Sequence, residues 1–209
     1  MSERTQIRVF SVDDHPLLRE GIAAIINNQP DMVMVAQAAN AQDALEQFRK
    51  HQPDVTLMDL RLPDRNGIET MIAIRSEFHD ARVIVLTTFE GDVEIKRALE
   101  AGARGYVLKS MPPKELVEVI RQVHAGKRRI PPQLAAQLAE HMSDEALTVR
   151  EVQVLGEIAG GNRNRDIAER LFITEETVKV HIKHIMEKLG ASDRTQAVAI
   201  GVRRGIIQL

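Results

Sequence analysis

Over the first 126 residues, short apolar runs alternate with segments of helical periodicity, the pattern of βα units wrapped on a parallel sheet. Ile7 to Val12 predicts a first strand, and Leu18, Ile22, Ile25 and Ile26 mark the apolar face of the helix after it. A weaker run near Met32 to Ala36 predicts a second strand, and Ala41, Ala44, Leu45 and Phe48 its helix. Val55 to Met58 lies between Pro53 and Pro63, carries no charge, and reads as a strand buried on both faces with Asp59 at its C-terminal lip. Ile68, Met71, Ile72 and Arg75 mark the next helix. Val83 to Leu86 predicts a fourth strand followed by a helix over 93–101; Tyr106 to Leu108 predicts a fifth, and Pro112-Pro113 opens a helix through Val117, Ile120 and Val123. Five parallel strands and five helices make one doubly wound α/β domain over residues 1–126.

The alternation breaks at Gly126-Lys127-Arg128-Arg129-Ile130-Pro131-Pro132. Residues 127–143 are therefore expected to form a linker, with a short helix from Gln133 to Met142. Beyond it the pattern predicts a small all-α domain over 144–209 with four helices: Thr148 to Ala159, Arg163 to Leu171, Glu175 to Leu189 and Asp193 to Arg203.

Composition narrows the function classes. The 209 residues include no cysteine, which excludes a disulfide framework and a thiolate metal site. No stretch approaches the roughly 18 apolar residues of a membrane span, and a cytoplasmic protein is expected. Residues 1–126 hold 15 Lys and Arg against 19 Asp and Glu, net −4, whereas residues 147–209 hold 10 against 8, net +2. A basic C-terminal segment is compatible with nucleic acid as a partner.

The predicted strands end in chemistry. Asp13 and Asp14 follow the first, Asp59 ends the third, Thr87 the fourth, and Lys109 follows the fifth. If these ends are neighbours, three carboxylates, a hydroxyl and an ammonium converge at the edge of the sheet where ligands bind in open α/β folds. Close carboxylates repel unless a cation relieves them, which points to a hard divalent ion such as Mg2+. A carboxylate beside a metal and an ammonium is a plausible nucleophile toward phosphorus. Enzymes of the haloacid dehalogenase kind use such a carboxylate too, but usually place a second acid two residues later, where Arg61 stands here.

VDDHP, LMDLRLPDRNG, LTT and YVLKS, carrying Asp13, Asp14, Asp59, Thr87 and Lys109, resemble the receiver domain of bacterial two-component response regulators over residues 6–126. The resemblance implies a flavodoxin-like fold and phosphorylation of Asp59 by a histidine kinase. It implies Mg2+ held by Asp14, Asp59 and the backbone carbonyl of Arg61, with Asp13 assisting through water. It also implies that Thr87 and Tyr106 form a conformational switch. His15 reads as a first-turn helix residue or as a group behind the acidic pair.

In the C-terminal segment Val178, Ile182, Ile185 and Leu189 form an apolar stripe, with Lys179, Val180 and Lys183 opposite it. Thr174 suits an N-cap, and two short helices across a three-residue turn fit a helix-turn-helix whose second helix enters the major groove. LTVREVQVLGEIAGG, NRDIAERLFITEETVKVHIKHIMEKLG and SDRTQAV resemble the LuxR-type DNA-binding domain, so that the two domains together are similar to the NarL/FixJ family. That similarity implies a transcription regulator rather than an enzyme. It puts Lys179, Val180 and Lys183 on the bases of double-stranded DNA and His181 on phosphates or in packing. It further implies a homodimer on DNA and RNA polymerase as a further partner. One departure is Asn162-Arg163, where small or hydroxyl-bearing residues are commoner.

Overall fold

The computed structural model describes residues 6–88, 91–140 and 145–207. The chain divides into two compact units, one of residues 1–88 and 96–133, the other of 89–95 and 134–209. Strands β1 (Ile7–Val12), β2 (Met32–Ala38), β3 (Val55–Asp59), β4 (Val83–Thr87) and β5 (Gly105–Leu108) form one sheet in the order β2-β1-β3-β4-β5. Every strand pairing is parallel. Helices α1 (Pro16–Asn27), α2 (Ala41–His51), α3 (Gly67–Glu77), α4 (Asp92–Glu100) and α5 (Pro113–His124) alternate with the strands. The chain steps from β1 outward to β2 and then back across β1 to β3, so the topological switch lies between β1 and β3. That step puts the ends carrying Asp13 and Asp59 side by side.

Burial on both faces explains the unbroken apolar strands. All five residues of β3 and all five of β4 are buried. Val9, Val55, Leu57, Ile84 and Val107 pack with Ile22 and Ile26 of α1 and with Val117, Ile120 and Val123 of α5. β2 runs two residues beyond its expected end. It is an edge strand whose register with β1 slips between Val9 and Phe10, which lets pairing continue to Val12↔Ala38. In α3, Met71 is buried as expected, but Ile72 is half exposed and Thr70 and Ile74 take the inner face. With apolar residues on several sides of this helix, the sequence pattern does not single out one face.

After α5 the chain returns to the sheet. Arg129 forms an isolated bridge with Gly105, its carbonyl accepting from Tyr106 N–H at 3.0 Å and its own N–H donating to Arg104 O at 2.9 Å. The connector helix α6 spans Pro132–Glu140; the last two residues of its predicted span, 141–142, lie outside the described residues.

The C-terminal helices are α7 (Val149–Ala159), α8 (Asn164–Leu171), α9 (Glu175–Leu189) and α10 (Arg194–Arg203). Each starts one residue after an N-cap position occupied by Thr148, Arg163, Thr174 or Asp193. This accounts for the three starts predicted one residue early, at Thr148, Arg163 and Asp193. Val154, Leu155, Ile158, Ile167, Val178, Ile185 and Ala197 form a core separate from that of the sheet. Gly190 ends α9 at φ 61°, a left-handed conformation that glycine adopts without steric cost.

Candidate functional site

At the C-terminal edge of β1 and β3, Asp13 is fully buried, Asp59 is 2% exposed and Asp14 faces solvent. The Lys109 ammonium, carried in from the end of β5, lies 2.7 Å from Asp13 Oδ2 and 2.8 Å from Asp59 Oδ2. Opposite charges this close and this shielded from water form an ion pair. Burial works against the ammonium charge; the hydrogen bonds and charges of Asp13 and Asp59 outweigh it and hold the Lys109 pKa above the ordinary lysine value. For Asp59 burial dominates, and it pushes the carboxyl above the usual range despite the hydrogen bond and charge of Lys109. A site with this balance favours anything that brings in more positive charge.

The backbone around Asp59 is tightly packed. Asp59 Oδ1 accepts from Arg61 N–H at 3.2 Å, and Gly67 N–H donates to Leu60 O at 2.9 Å. A Cβ on Gly67 would lie 1.9 Å from the Asp59 carbonyl oxygen, so only glycine lets α3 start against the strand end that carries Asp59. The Asp64 carboxylate accepts from Ala41 N–H at 2.8 Å and Gln42 N–H at 3.0 Å, tying the β3–α3 loop to the start of α2; these backbone bonds hold its pKa below the usual range.

His15 is the N-cap residue of α1, just outside the first turn. Its N–H donates to Asp13 Oδ1 at 2.9 Å, and its Nδ1 lies 2.7 Å from Asp14 Oδ1 and 3.2 Å from Asp13 Oδ1. Ligand atoms of Asp13, Asp14, His15 and Asp59 all lie within 4.8 Å of one another. The three carboxylates supply the hard oxygen donors that a cation such as Mg2+ takes, so the donor set fits one. Arg19, which the sequence pattern did not single out, donates from Nη1 to Asp13 O at 2.5 Å. Its spacing from Asp13 signals only a residue one turn into α1.

Thr87 ends β4 one position beyond Leu86, the register partner of Asp59, and its carbonyl accepts from Lys109 N–H at 2.8 Å. Tyr106 pairs with Val85 and is fully buried. All the receiver residues expected at the strand ends therefore lie on one edge, with Asp13, Asp14, Asp59 and Lys109 in direct proximity.

In the helical unit, Phe172 ends α8 in the left-handed region at φ 55°, turning the chain through Ile173 and Thr174 into α9. Thr174 caps α9 by accepting from Thr177 N–H at 3.1 Å. Val178 and Ile185 face the core, while Lys179, Val180 and Lys183 are exposed on the opposite side and His181 is half buried. Lys179 lies 3.1 Å from Glu176 and Lys183 3.8 Å from Glu187. Exposed pairs of this kind are worth less than about 1 kcal/mol, so they yield readily to a polyanion.

Residues 9–121 match the response regulator receiver domain, and residues 145–200 match the bacterial regulatory proteins of the luxR family. The chain belongs to the LuxR-type two-component response regulators. The regulator is 38% identical to the transcriptional regulatory protein LnrK of Bacillus subtilis, over 96% of this chain and 98% of that protein. It is 35% identical to the response regulator VraR of Staphylococcus aureus, over 97% and 99%. Among solved structures, a LuxR-family response regulator from Aurantimonas is 40% identical, covers 66% of this chain and 99% of its own, and superposes with a TM-score of 0.63. The fold is also that of RcsB from Salmonella typhimurium, at TM-score 0.71 and 24% identity, covering 93% and 98%. The regulator thus joins a receiver to a LuxR-type DNA-binding domain and is a transcriptional regulator, not an enzyme; receiver chemistry is limited to its own phosphotransfer. Among the described residues no helix is long and apolar enough to cross a membrane.

Proposed function

We propose that Asp59 accepts a phosphoryl group from the phosphohistidine of a cognate histidine kinase, and that this controls binding of α8 and α9 to double-stranded DNA. The observation that carries the reading is the Lys109 ammonium held 2.8 Å from Asp59 and 2.7 Å from Asp13 at a strand-end crevice. An Asp59 oxygen forms the new bond to phosphorus as the P–N bond breaks, its electron pair returning to the imidazole nitrogen of the kinase. Lys109 then pairs with a phosphoryl oxygen in place of the carboxylate it faces now, and the Thr87 hydroxyl donates to another. Asp14, Asp59 and the backbone carbonyl of Arg61 would hold Mg2+, with Asp13 acting through water. When bound, the cation neutralises charge on the phosphoryl oxygens. Thr87 and Tyr106 transmit the change as the switch pair.

On the output side, Lys179, Val180 and Lys183 read base edges in the major groove, with His181 at the backbone, and the regulator acts as a homodimer that contacts RNA polymerase. Residues 1–126 form the receiver, 127–143 the linker and 144–209 the DNA-binding domain; the junction at 143–144 lies outside the described residues. The chemistry is tested by incubation with acetyl phosphate and Mg2+ followed by peptide mass spectrometry. One phosphoryl group on Asp59, absent in Asp59→Asn, is the expected result; undiminished labelling of that variant contradicts it.

A further inference from the structure

An open cleft of about 380 Å³ lies in the helical unit between the end of α7, the turn into α8 and the start of α10. Its floor is apolar, from Ile158, Ala159 and Val198, and its only charged lining residues are Arg163 and Arg194. Every lysine and arginine on α8 and α9 pairs with a glutamate: Arg165 with Glu169, Arg170 with Glu157, Lys179 with Glu176, Lys183 with Glu187, and Lys188 with Glu145 and Glu151. Neither cleft arginine has a carboxylate partner among the described residues. Arg194 Nη2 donates to Asn162 O at 3.0 Å, and Asn162 Nδ2 is anchored to Glu157 Oε2 at 2.7 Å and Glu157 O at 3.2 Å. The turn carrying Arg163 is therefore held from both sides, and two unneutralised guanidiniums face one space.

The surroundings sharpen what that space takes. The N-caps of α7, α9 and α10 are Thr148, Thr174 and Asp193, each side chain accepting a backbone N–H, whereas α8 has Arg163 there; its backbone N–H donates to Asp166 Oδ2 at 3.2 Å, but its side chain makes no capping bond. Asp166 offsets the helix end, while the Arg163 guanidinium keeps its own N–H donors facing the cleft. Asn162-Arg163, a departure from the LuxR pattern, puts guanidinium N–H donors beside the turn, a geometry that suits a tetrahedral oxyanion. In helix-turn-helix docking the first helix of the pair crosses the sugar-phosphate backbone while the second lies in the groove, and α8 and α9 are that pair.

We propose that the Arg163–Arg194 cleft clamps one backbone phosphate of the DNA whose bases α9 reads. The inference rests on the DNA-binding reading above. Guanidiniums grip phosphate oxygens through paired N–H bonds and carry no base information, so the clamp sets affinity and register but not sequence preference.

The test measures DNA affinity of the full-length, phosphoryl-donor-treated protein across a salt series, for wild type, Arg163→Gln, Arg194→Gln and, as a base-reading control, Lys183→Ala. Arg163→Gln carries the decision, because the Arg163 guanidinium makes no bond among the described residues, whereas Arg194→Gln also loses its bond to Asn162. Each loss should weaken binding to specific and unrelated DNA by the same factor and make the log–log salt slope shallower by about 0.9. The deficit then shrinks about 3.5-fold between roughly 50 and 200 mM salt. A wild-type slope in Arg163→Gln, or an altered sequence preference, overturns the clamp while leaving DNA binding intact. Wild-type protein that binds no DNA overturns both. Inorganic phosphate replacing chloride at constant ionic strength should compete equally poorly in wild type and Arg163→Gln; displacement of DNA in wild type alone assigns the cleft to free phosphate and overturns the DNA assignment.

Discussion

At Asp59 two charges of opposite sign share a space that excludes water, and the carboxylate bears the cost. Its pKa is raised by burial above the unfolded value of about 3.9. A raised carboxyl contributes stability below the unfolded value and loses it as pH rises through the folded one. In metal-free protein, Asp59→Asn should therefore gain stability relative to wild type as pH climbs from about 4 to 7, measured by urea denaturation of the receiver. Adding Mg2+ should reverse the gain, because the cation binds and stabilises only the anionic site well. A stability difference flat with pH would contradict this charge balance. Asp13, Asp14, Asp59, Thr87 and Lys109 were legible in the sequence because each ends an apolar run, and parallel strands bring such ends together. His15 was legible only as one of two alternatives and Arg19 not at all, because their contacts with Asp13 and Asp14 depend on the angle at which α1 leaves β1. The sequence offers His15 as a first-turn residue or as a group behind the acidic pair; it is the N-cap of α1, and its Nδ1 lies against both carboxylates, as the second alternative has it.

Two elements owe their placement to single residues. α3 begins against the Asp59 carbonyl only because residue 67 lacks a Cβ. Gly67→Ala should cost about 1 to 3 kcal/mol and slow phosphorylation by displacing Asp59, read by denaturation and by labelling with acetyl phosphate. Wild-type values of both would mean that α3 can shift without moving the strand end. α7 is started by a reciprocal capping box: Glu151 accepts from Thr148 N–H at 2.7 Å and pairs with Lys188 at 3.0 Å. Burial opposes the Glu151 charge, but these bonds prevail and hold its pKa below the ordinary value. Its contribution is thus present above about pH 4.3 and lost as pH falls through the folded pKa. Glu151→Gln should lower stability by about 1 to 3 kcal/mol at pH 7, with the difference fading toward pH 3. The sequence reading began the helix at Thr148 and did not single out the box, and Lys188 lies 37 positions from Glu151, so that only packing of α9 on α7 brings it there. The half-exposed Ile72 shows the opposite failure, an apolar residue at helical spacing that the fold leaves outside.

For the whole molecule, the change from βα alternation to helices alone located two domains, and the chemistry of four strand ends pointed to the receiver before any contact was known. The strand order β2-β1-β3-β4-β5 was not written in any local pattern; it follows from which crossovers cover both sheet faces. The C-terminal unit was legible through its apolar stripe and its turn, while the cleft at Arg163 and Arg194 joins residues 31 positions apart and appears only when α10 packs against α7. Opposite net charges on the two regions, −4 and +2, leave the output domain as the part suited to a polyanion. In the proposed function, control of DNA affinity rests on a phosphoryl group at Asp59. The most direct test of this control is the affinity of full-length wild type and Asp59→Asn for a selected DNA site at fixed salt, with and without acetyl phosphate. A gain of tenfold or more in wild type, roughly 1.4 kcal/mol, with none in Asp59→Asn is the predicted result; equal affinity in all four measurements would contradict it.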